Sequence, residues 1–218
     1  MSATSSTQLM NDIYSWQTDI YDLTRKYYLL GRDELIDELN AEPHHTILEI
    51  GCGTARNLIR ASRLYPRSPC YGIDVSTIML AKAHESIEHH GLSERISLAH
   101  ADACASDFSP VHFPQKYDRI YFSYTLSMIP NWRAALRNAL ARLEDNGTLM
   151  LIDFGGLDQM PTVFKSILYK WLALFSVHPQ SELESYVHSI AESMNMSVHI
   201  SKPYAGYAIK ALITKQSS

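Results

Sequence analysis

The stretch HTILEIGCGTARNLIRASRLYPRSPCYGID, residues 45–74, reads as strand, glycine loop, helix, turn and second strand, the first unit of a nucleotide-type α/β fold. Thr46 to Ile50 is a short apolar run with β-branched residues that stops at Gly51, the pattern of a buried strand. Gly51 and Gly53 bracket Cys52, and Leu58, Ile59, Ala61, Ser62, Leu64 and Tyr65 then follow at helical spacing. Glycines at that point let the backbone turn sharply and let a ligand lie against main-chain N–H groups. The second strand, Cys70 to Ile73, ends in Asp74, twenty-one residues after Gly53. A carboxylate at such a tip is placed to accept both hydroxyls of a ribose, so the unit predicts an adenosine-containing cofactor.

The glycine run is Gly51-Cys52-Gly53-Thr54-Ala55-Arg56, with arginine where a dinucleotide fingerprint has its third glycine. That glycine allows tight helix packing beneath a pyrophosphate, so its replacement counts against a dinucleotide. The run that begins at Glu49 instead resembles the first motif of the class I S-adenosylmethionine-dependent methyltransferases, whose cofactor has no phosphate to cradle. The plainer alternative is a glycine turn that merely joins a strand to a helix. It leaves Glu49 and Asp74 together unexplained.

At 218 residues the chain has the length of one full-sized domain. Apolar residues make up 46% and charged residues 19%, enough for a real core. A net charge of −4 gives no basic footprint for nucleic acid. Cys52, Cys70 and Cys104 are odd in number and form no CxxC pair, which points to reduced thiols, a cytosolic setting and no metal site. His44-His45 and His89-His90 are adjacent pairs without metal-ligand spacing. The first ten residues lack a signal-peptide pattern. No run reaches the roughly 18 apolar residues of a membrane-spanning helix. The expectation is a soluble, cytoplasmic protein.

Outward from the central unit, residues 1–8 read as a disordered tail, 9–39 as a helical cover broken near Gly31, and 45–215 as a single α/β core. In the cover, Ile13, Trp16, Ile20, Leu23, Tyr27 and Leu30 make one apolar stripe. Beyond Asp74, Ser76 is a good N-cap for a helix ending near Gly91. Ile96 to Ala99 is a third strand leading to Asp102, Arg119 to Tyr124 a fourth, and Trp132 to Leu143 a helix. Asp145-Asn146-Gly147 is a turn before a fifth strand, Thr148 to Ile152. Met160 to Phe175 is rich in bulky apolar residues with only Lys165 and Lys170 charged, and reads either as a helix lying in a membrane interface or as a packing helix. Ser181 caps a helix to about Met194, and two extended segments, Ser197 to Ser201 and Tyr207 to Thr214, can pair antiparallel at the sheet edge. The predicted fold is therefore a Rossmann-like α/β class I methyltransferase fold. Its sheet is mostly parallel and seven-stranded, with a C-terminal antiparallel hairpin.

Five stretches carry a more specific resemblance: IYDLTRKYYLLGRDELI (20–36), GCGTARN (51–57), YFSYTLSMIPNW (121–132), LIDFGG (151–156) and PYAGYA (203–208). In this order they are similar to the diacylglyceryl-homoserine N-methyltransferases (the BtaB type), the second enzymes of bacterial betaine-lipid synthesis. The glycine loop is shared by many methyltransferases, whereas YDLTRKYYLLGR and SYTLSMIP are far more specific. Family members often have glycine where this chain has Ala55. The resemblance implies three methyl transfers to the homoserine amine of a diacylglyceryl ether lipid. It also implies S-adenosylmethionine as cofactor, a lipid substrate met at the inner face of a membrane, and a partner enzyme that makes the homoserine lipid.

Expected roles follow. Glu49, Gly51, Cys52 and Gly53 shape the pocket for the methionine end, Asp74 and Val75 meet the ribose, and Asp102 and Ala103 the adenine. Tyr21 and Arg25 reach the methionine carboxylate from the cover, since arginine offers a fork of donors. Ser123 and Met128 line the methyl-transfer face. The amine must be neutral to attack, and Tyr28, Tyr124, Asp153, His178 and Tyr204 are candidates for a base near it. Arg25, Lys26 and Arg32 compete for the lipid carboxylate. Tyr21, Tyr27, Tyr28, Tyr124, Tyr204 and Tyr207 are candidate cage members for the quaternary ammonium product. Each is also an ordinary half-buried tyrosine among thirteen. Competing functions are N-methylation of a phospholipid or small-molecule amine, and cofactor binding without catalysis.

Overall fold

The computed structural model describes residues 29–108, 110–156, 165, 172 and 177–217. Its strands are Ile47–Ile50 (β1), Cys70–Asp74 (β2), Ile96–His100 (β3), Tyr117–Ser123 (β4), Leu143–Phe154 (β5), Met196–Ser201 (β6) and Ala208–Lys215 (β7). They form one seven-stranded sheet in the order β3-β2-β1-β4-β5-β7-β6. The first five are parallel, and β7 enters antiparallel between β5 and β6. The order reverses direction between β1 and β4, and an open α/β sheet binds its ligand in the crevice outside the strand ends at such a point.

The helices are Arg32–Asp37 (α1), Arg56–Leu64 (α2), Thr77–His89 (α3), Trp132–Ala141 (α4) and Leu183–Ser193 (α5), with a 3-10 turn at Leu126–Met128. Side chains of α1, α2 and α3 pack on one face of the sheet, those of α4 and α5 on the other. Ser76 does cap α3, its hydroxyl accepting the Met79 N–H at 3.3 Å. Ser181 does not cap α5: the cap position is Glu182, with no side-chain bond to the helix. The turn at Asp145-Asn146-Gly147 is instead an excursion within β5. Its pairing with β4 jumps from Tyr117↔Leu143 to Arg119↔Thr148, and Asn146 takes a left-handed φ of 62°.

Of the expected cover, the part from Leu29 onward lies among the described residues. Leu35 and Ile36 of α1 are fully buried, each contributing about 1.5–3 kcal/mol. Arg56 and Arg60 of α2 grip Asp33 and Asp37 in matched forks one turn apart. These pairs are half-exposed and contribute at most about 1 kcal/mol each, so burial rather than charge holds α1 down. The aromatic segment at 160–175 falls outside the described residues except for Lys165 and the buried Leu172. No helix among the described residues is long and apolar enough to cross a membrane.

Gly72, in the middle of β2, sets how closely α2 and the glycine loop approach the sheet. A Cβ there would lie 2.5 Å from Leu58 Cδ1, 2.9 Å from Cys52 Sγ and 2.9 Å from Leu98 Cδ2. Gly72→Ala is expected to lower unfolding free energy by about 1–3 kcal/mol through overpacking. Urea denaturation of the two proteins measures this; an unchanged midpoint would mean that the contact yields freely.

Candidate cofactor site

The loop after β1 is built from left-handed residues: Gly51, Gly53 and Ala55 have φ of 74°, 54° and 64°. At Gly51 glycine is required twice, since a Cβ would also meet Thr125 Cγ2 at 2.2 Å. The N–H groups of Gly51 and Cys52 both donate to the Ile73 carbonyl, at 2.8 and 3.0 Å. That of Gly53 donates to Asp74 Oδ2 at 2.8 Å, and that of Ala55 to the Cys52 carbonyl at 2.9 Å. These four N–H groups are thus committed inside the protein. Cys52 contributes only its main chain to the loop surface, because its thiol is buried, which pushes its pKa well up.

Asp74 is half-buried, and its second oxygen accepts the Ser76 N–H at 2.9 Å, so both oxygens are fixed in place. The neighbouring Val75 carbonyl lies 3.0 Å from His100 Nε2. Asp102 is exposed past β3, its Oδ1 accepting the Cys104 N–H, and Ala103 beside it is buried. Ser123 closes β4 next to the loop, buried, with a hydroxyl that has no partner among the described residues. An orphaned hydroxyl beside a glycine turn suits a polar ligand.

Glu49 lies beneath the loop and is 1% exposed. Its carboxyl pairs with Asn57 Nδ2 at 2.7 Å and with the Tyr121 hydroxyl at 3.0 Å. Burial pushes it up to about 8. Asn57 and Tyr121 were not among the residues expected from sequence. A carboxylate in an apolar strand does signal that partners are needed, and Tyr121 is its register partner on β4.

The remaining candidates gather where β4, β5 and β7 meet the start of α1. Tyr124, left-handed at φ 55°, is buried and donates its hydroxyl to the Leu30 carbonyl at 2.6 Å. Burial holds its phenol far above the usual range, so it keeps its proton and acts as a strap, not a base. Tyr204 behaves alike: its hydroxyl donates to Glu34 Oε2 at 2.7 Å and is pushed up to about 12 by desolvation and that bond. Asp153 is buried and raised by desolvation to about 6, and its oxygens accept the N–H groups of Ser127 and Phe154. It therefore fixes the turn that carries Met128, which packs partly buried against the core. His178 has an exposed ring and donates its backbone N–H to the Ser127 carbonyl.

Tyr207 is buried with its ring edge-on to Phe154 at 5.9 Å, and Phe154 meets Tyr124 at 4.8 Å. Those two tyrosines form a filled cluster, not an open cage. Arg32 is half-buried, and its charge acts on both Glu49 and Tyr124. Tyr21, Arg25, Lys26, Tyr27 and Tyr28 lie outside the described residues. A groove of about 520 Å³ runs from Thr54 of the glycine loop along the α2–α3 flank past Arg56, Arg60 and Arg63.

Residues 47–147 match the family model described as a methyltransferase domain. The chain is 24% identical over 195 residues to a ubiquinone/menaquinone biosynthesis C-methyltransferase UbiE of Allorhizobium ampelinum, covering 84% of this chain and 73% of that protein. It is 25% identical over 151 residues to an uncharacterized protein of Methanocaldococcus jannaschii, covering 68% of this chain but only 40% of that protein's length. The plantazolicin methyltransferase BpumL, solved in complex with a desmethyl analog and SAH, superposes with a TM-score of 0.69 at 17% identity over 98% of both chains. Residues 47–147 thus form a methyltransferase domain, and the fold is one shared with solved methyltransferases, BpumL among them.

The residues present fit S-adenosylmethionine, the cofactor expected from sequence, because the Asp74 carboxylate is fixed at the tip of β2 by the Gly53 and Ser76 N–H groups and the buried Ser123 hydroxyl at the end of β4 has no partner among the described residues. Asp74→Ala is expected to weaken S-adenosylmethionine binding roughly tenfold or more, measured calorimetrically; unchanged affinity would remove Asp74 from the site. The folded chain binds the Glu49 proton more tightly than the unfolded chain does. Wild-type stability should therefore fall, relative to Glu49→Gln, as pH rises from the ordinary value of 4.5 to about 8. Thermal melts of both proteins across that range test the sign.

Proposed function

We propose that this class I methyltransferase methylates the amine of diacylglyceryl-homoserine three times, giving the trimethylated betaine lipid. The observation that supports this most is a convergence in space of the stretches that carry the family resemblance. Leu30, near the end of YDLTRKYYLLGR, is held by Tyr124 of SYTLSMIP. A Cβ on Gly31 would lie 2.6 Å from Ile152 of LIDFGG and 3.1 Å from the Tyr204 hydroxyl of PYAGYA. The Gly155 N–H donates to the Tyr207 carbonyl at 2.8 Å, joining the last two stretches. Parts far apart in sequence thus frame one end of the sheet, beside the glycine loop.

Bound S-adenosylmethionine supplies a methyl group already activated by its sulfonium. The chain's work is then to align a neutral amine, and such positioning can lower the barrier by roughly 7–11 kcal/mol. Arg32, half-buried at this end, suits the lipid's carboxylate. Asp153 holds the Leu126–Met128 turn in place against the core. His178 is exposed, with its backbone N–H on the Ser127 carbonyl, and its ring is the base this reading assigns to the amine. Tyr124 and Tyr204 fix the start of α1 through their hydroxyls. The lipid would be met at a membrane surface, after a reaction that installs the homoserine head. The second reading is methylation of a carbon acceptor, favoured by the similarity to the UbiE C-methyltransferase over 84% of this chain.

The test is the full chain with labelled S-adenosylmethionine and detergent micelles containing diacylglyceryl-homoserine, with products read by mass. Mono-, di- and trimethyl species are expected. Cofactor binding without lipid methylation would overturn the lipid reading. Methylation of a demethylated quinone in parallel micelles would replace it with the second.

A further inference from the structure

The turn past β3 is held from outside its own strand. Within it, the Ala105 N–H donates to the Asp102 carbonyl at 2.9 Å, and the Cys104 N–H donates to Asp102 Oδ1 at 2.9 Å. Both bonds are local, so they set the shape of the turn and not its place on the molecule. Its place is set from α4. The Asn138 side-chain amide donates to the Ala103 carbonyl at 3.0 Å and to the Ala105 carbonyl at 2.9 Å, which commits both of its protons to one loop. The Cys104 thiol donates to the Asn131 carbonyl at 3.5 Å, at the cap of the same helix. Asn131, Ala135 and Asn138 share one face of α4 by their helical spacing, and the fully buried Ala135 between them is small enough to let the loop come close. On the other flank, the Ala101 N–H donates to the Asp74 carbonyl at 3.1 Å. The turn therefore hangs between the tip of β2 and a single amide on α4.

We propose that Asn138 is a positioning residue that sets base specificity at the cofactor site. By clamping the Ala103 and Ala105 carbonyls to α4, it holds the Asp102 carboxylate where it selects a purine that carries a 6-amino group. The inference rests on the reading of Asp102 and Ala103 as the adenine end, and it does not depend on which acceptor is methylated. A carboxylate only accepts hydrogen bonds, so it favours a base edge that donates over one that is bare at that position. Asp102 is exposed and its own turn is its anchor, so the carboxylate keeps its direction only while the turn keeps its place. The Asn138 amide, with both protons engaged, acts through the loop and not on the ligand.

The test compares S-adenosylhomocysteine with its purine analogue, which lacks only the 6-amino group, by calorimetry on the full chain. A hydrogen bond to a charged group should make wild type favour the amino form by about tenfold or more. Asn138→Leu, close in size and without a donor, is expected to bring that ratio close to unity, mainly by weakening the amino form. A general loosening of the fold would weaken both ligands alike and leave the ratio where it was. Should Asn138→Leu fail to fold, Asn138→Asp serves instead, since it keeps the size and, ionised, has no proton to donate. A wild-type ratio retained in the variant would overturn the clamp while leaving Asp102 as the reader of the base. A ratio near unity in wild type would overturn both. No turnover is read, so failure here is distinct from failure of the lipid assignment.

Discussion

Three consecutive N–H groups, those of Gly51, Cys52 and Gly53, are donated to the tip of β2, two to the Ile73 carbonyl and one to the Asp74 carboxylate. This single set of bonds ties the first strand unit to the second and fixes where the Asp74 carboxylate points. It also explains why arginine is tolerated at the third glycine position. Arg56 begins the helix after those bonds are made and reaches sideways to Asp33. The left-handed Ala55 before α2 fits the same picture. The loop's curvature is needed whether or not glycine supplies it, and alanine there costs on the order of 1–2 kcal/mol.

The strand, glycine loop and helix were legible because local signals agreed: β-branched runs, paired glycines, a capping Ser76 and an acid at a strand tip. The count of seven strands followed from the alternation of strand and helix signals and a final pair of extended segments, while the insertion of β7 between β5 and β6 did not. Less legible were features set by tertiary contact. The β5 excursion looked like a free turn because Asn-Gly reads so locally, yet pairing with β4 resumes within the same strand. Tyr204 and Ala205 adopt left-handed angles that nothing in their identities suggests; the bond from Tyr204 to Glu34, 170 residues away, accompanies that strain. The Glu49 network was half visible. The acid could be picked out, but its partners depend on which strand lies beside β1, and that is a property of topology.

The tyrosines show the same limit at the site. A count of thirteen invites an aromatic cage, but Tyr124 and Tyr207 are consumed in packing with Phe154, and Tyr204 is a tie to α1. A phenol's two faces and its hydroxyl answer to different neighbours. Sequence cannot say which of them a given ring will satisfy. The carboxylates divide in a comparable way. Asp74 is partly exposed at the tip of β2, whereas Asp153 and Glu49 are sealed and act through the backbone and side chains they hold.

The antiparallel entry of β7 has a practical side. Ala208 pairs with Phe154 at the crevice end of the sheet, and Thr214 pairs with Thr148 near the opposite pole, where Lys215 reaches Asp145 and the Leu143 carbonyl. A fluorophore, surface tether or affinity handle joined after this strand would therefore emerge on the far side of the molecule from the glycine loop. Immobilising the protein through that point leaves the crevice facing outward. This orientation suits an enzyme displayed on a sensor chip.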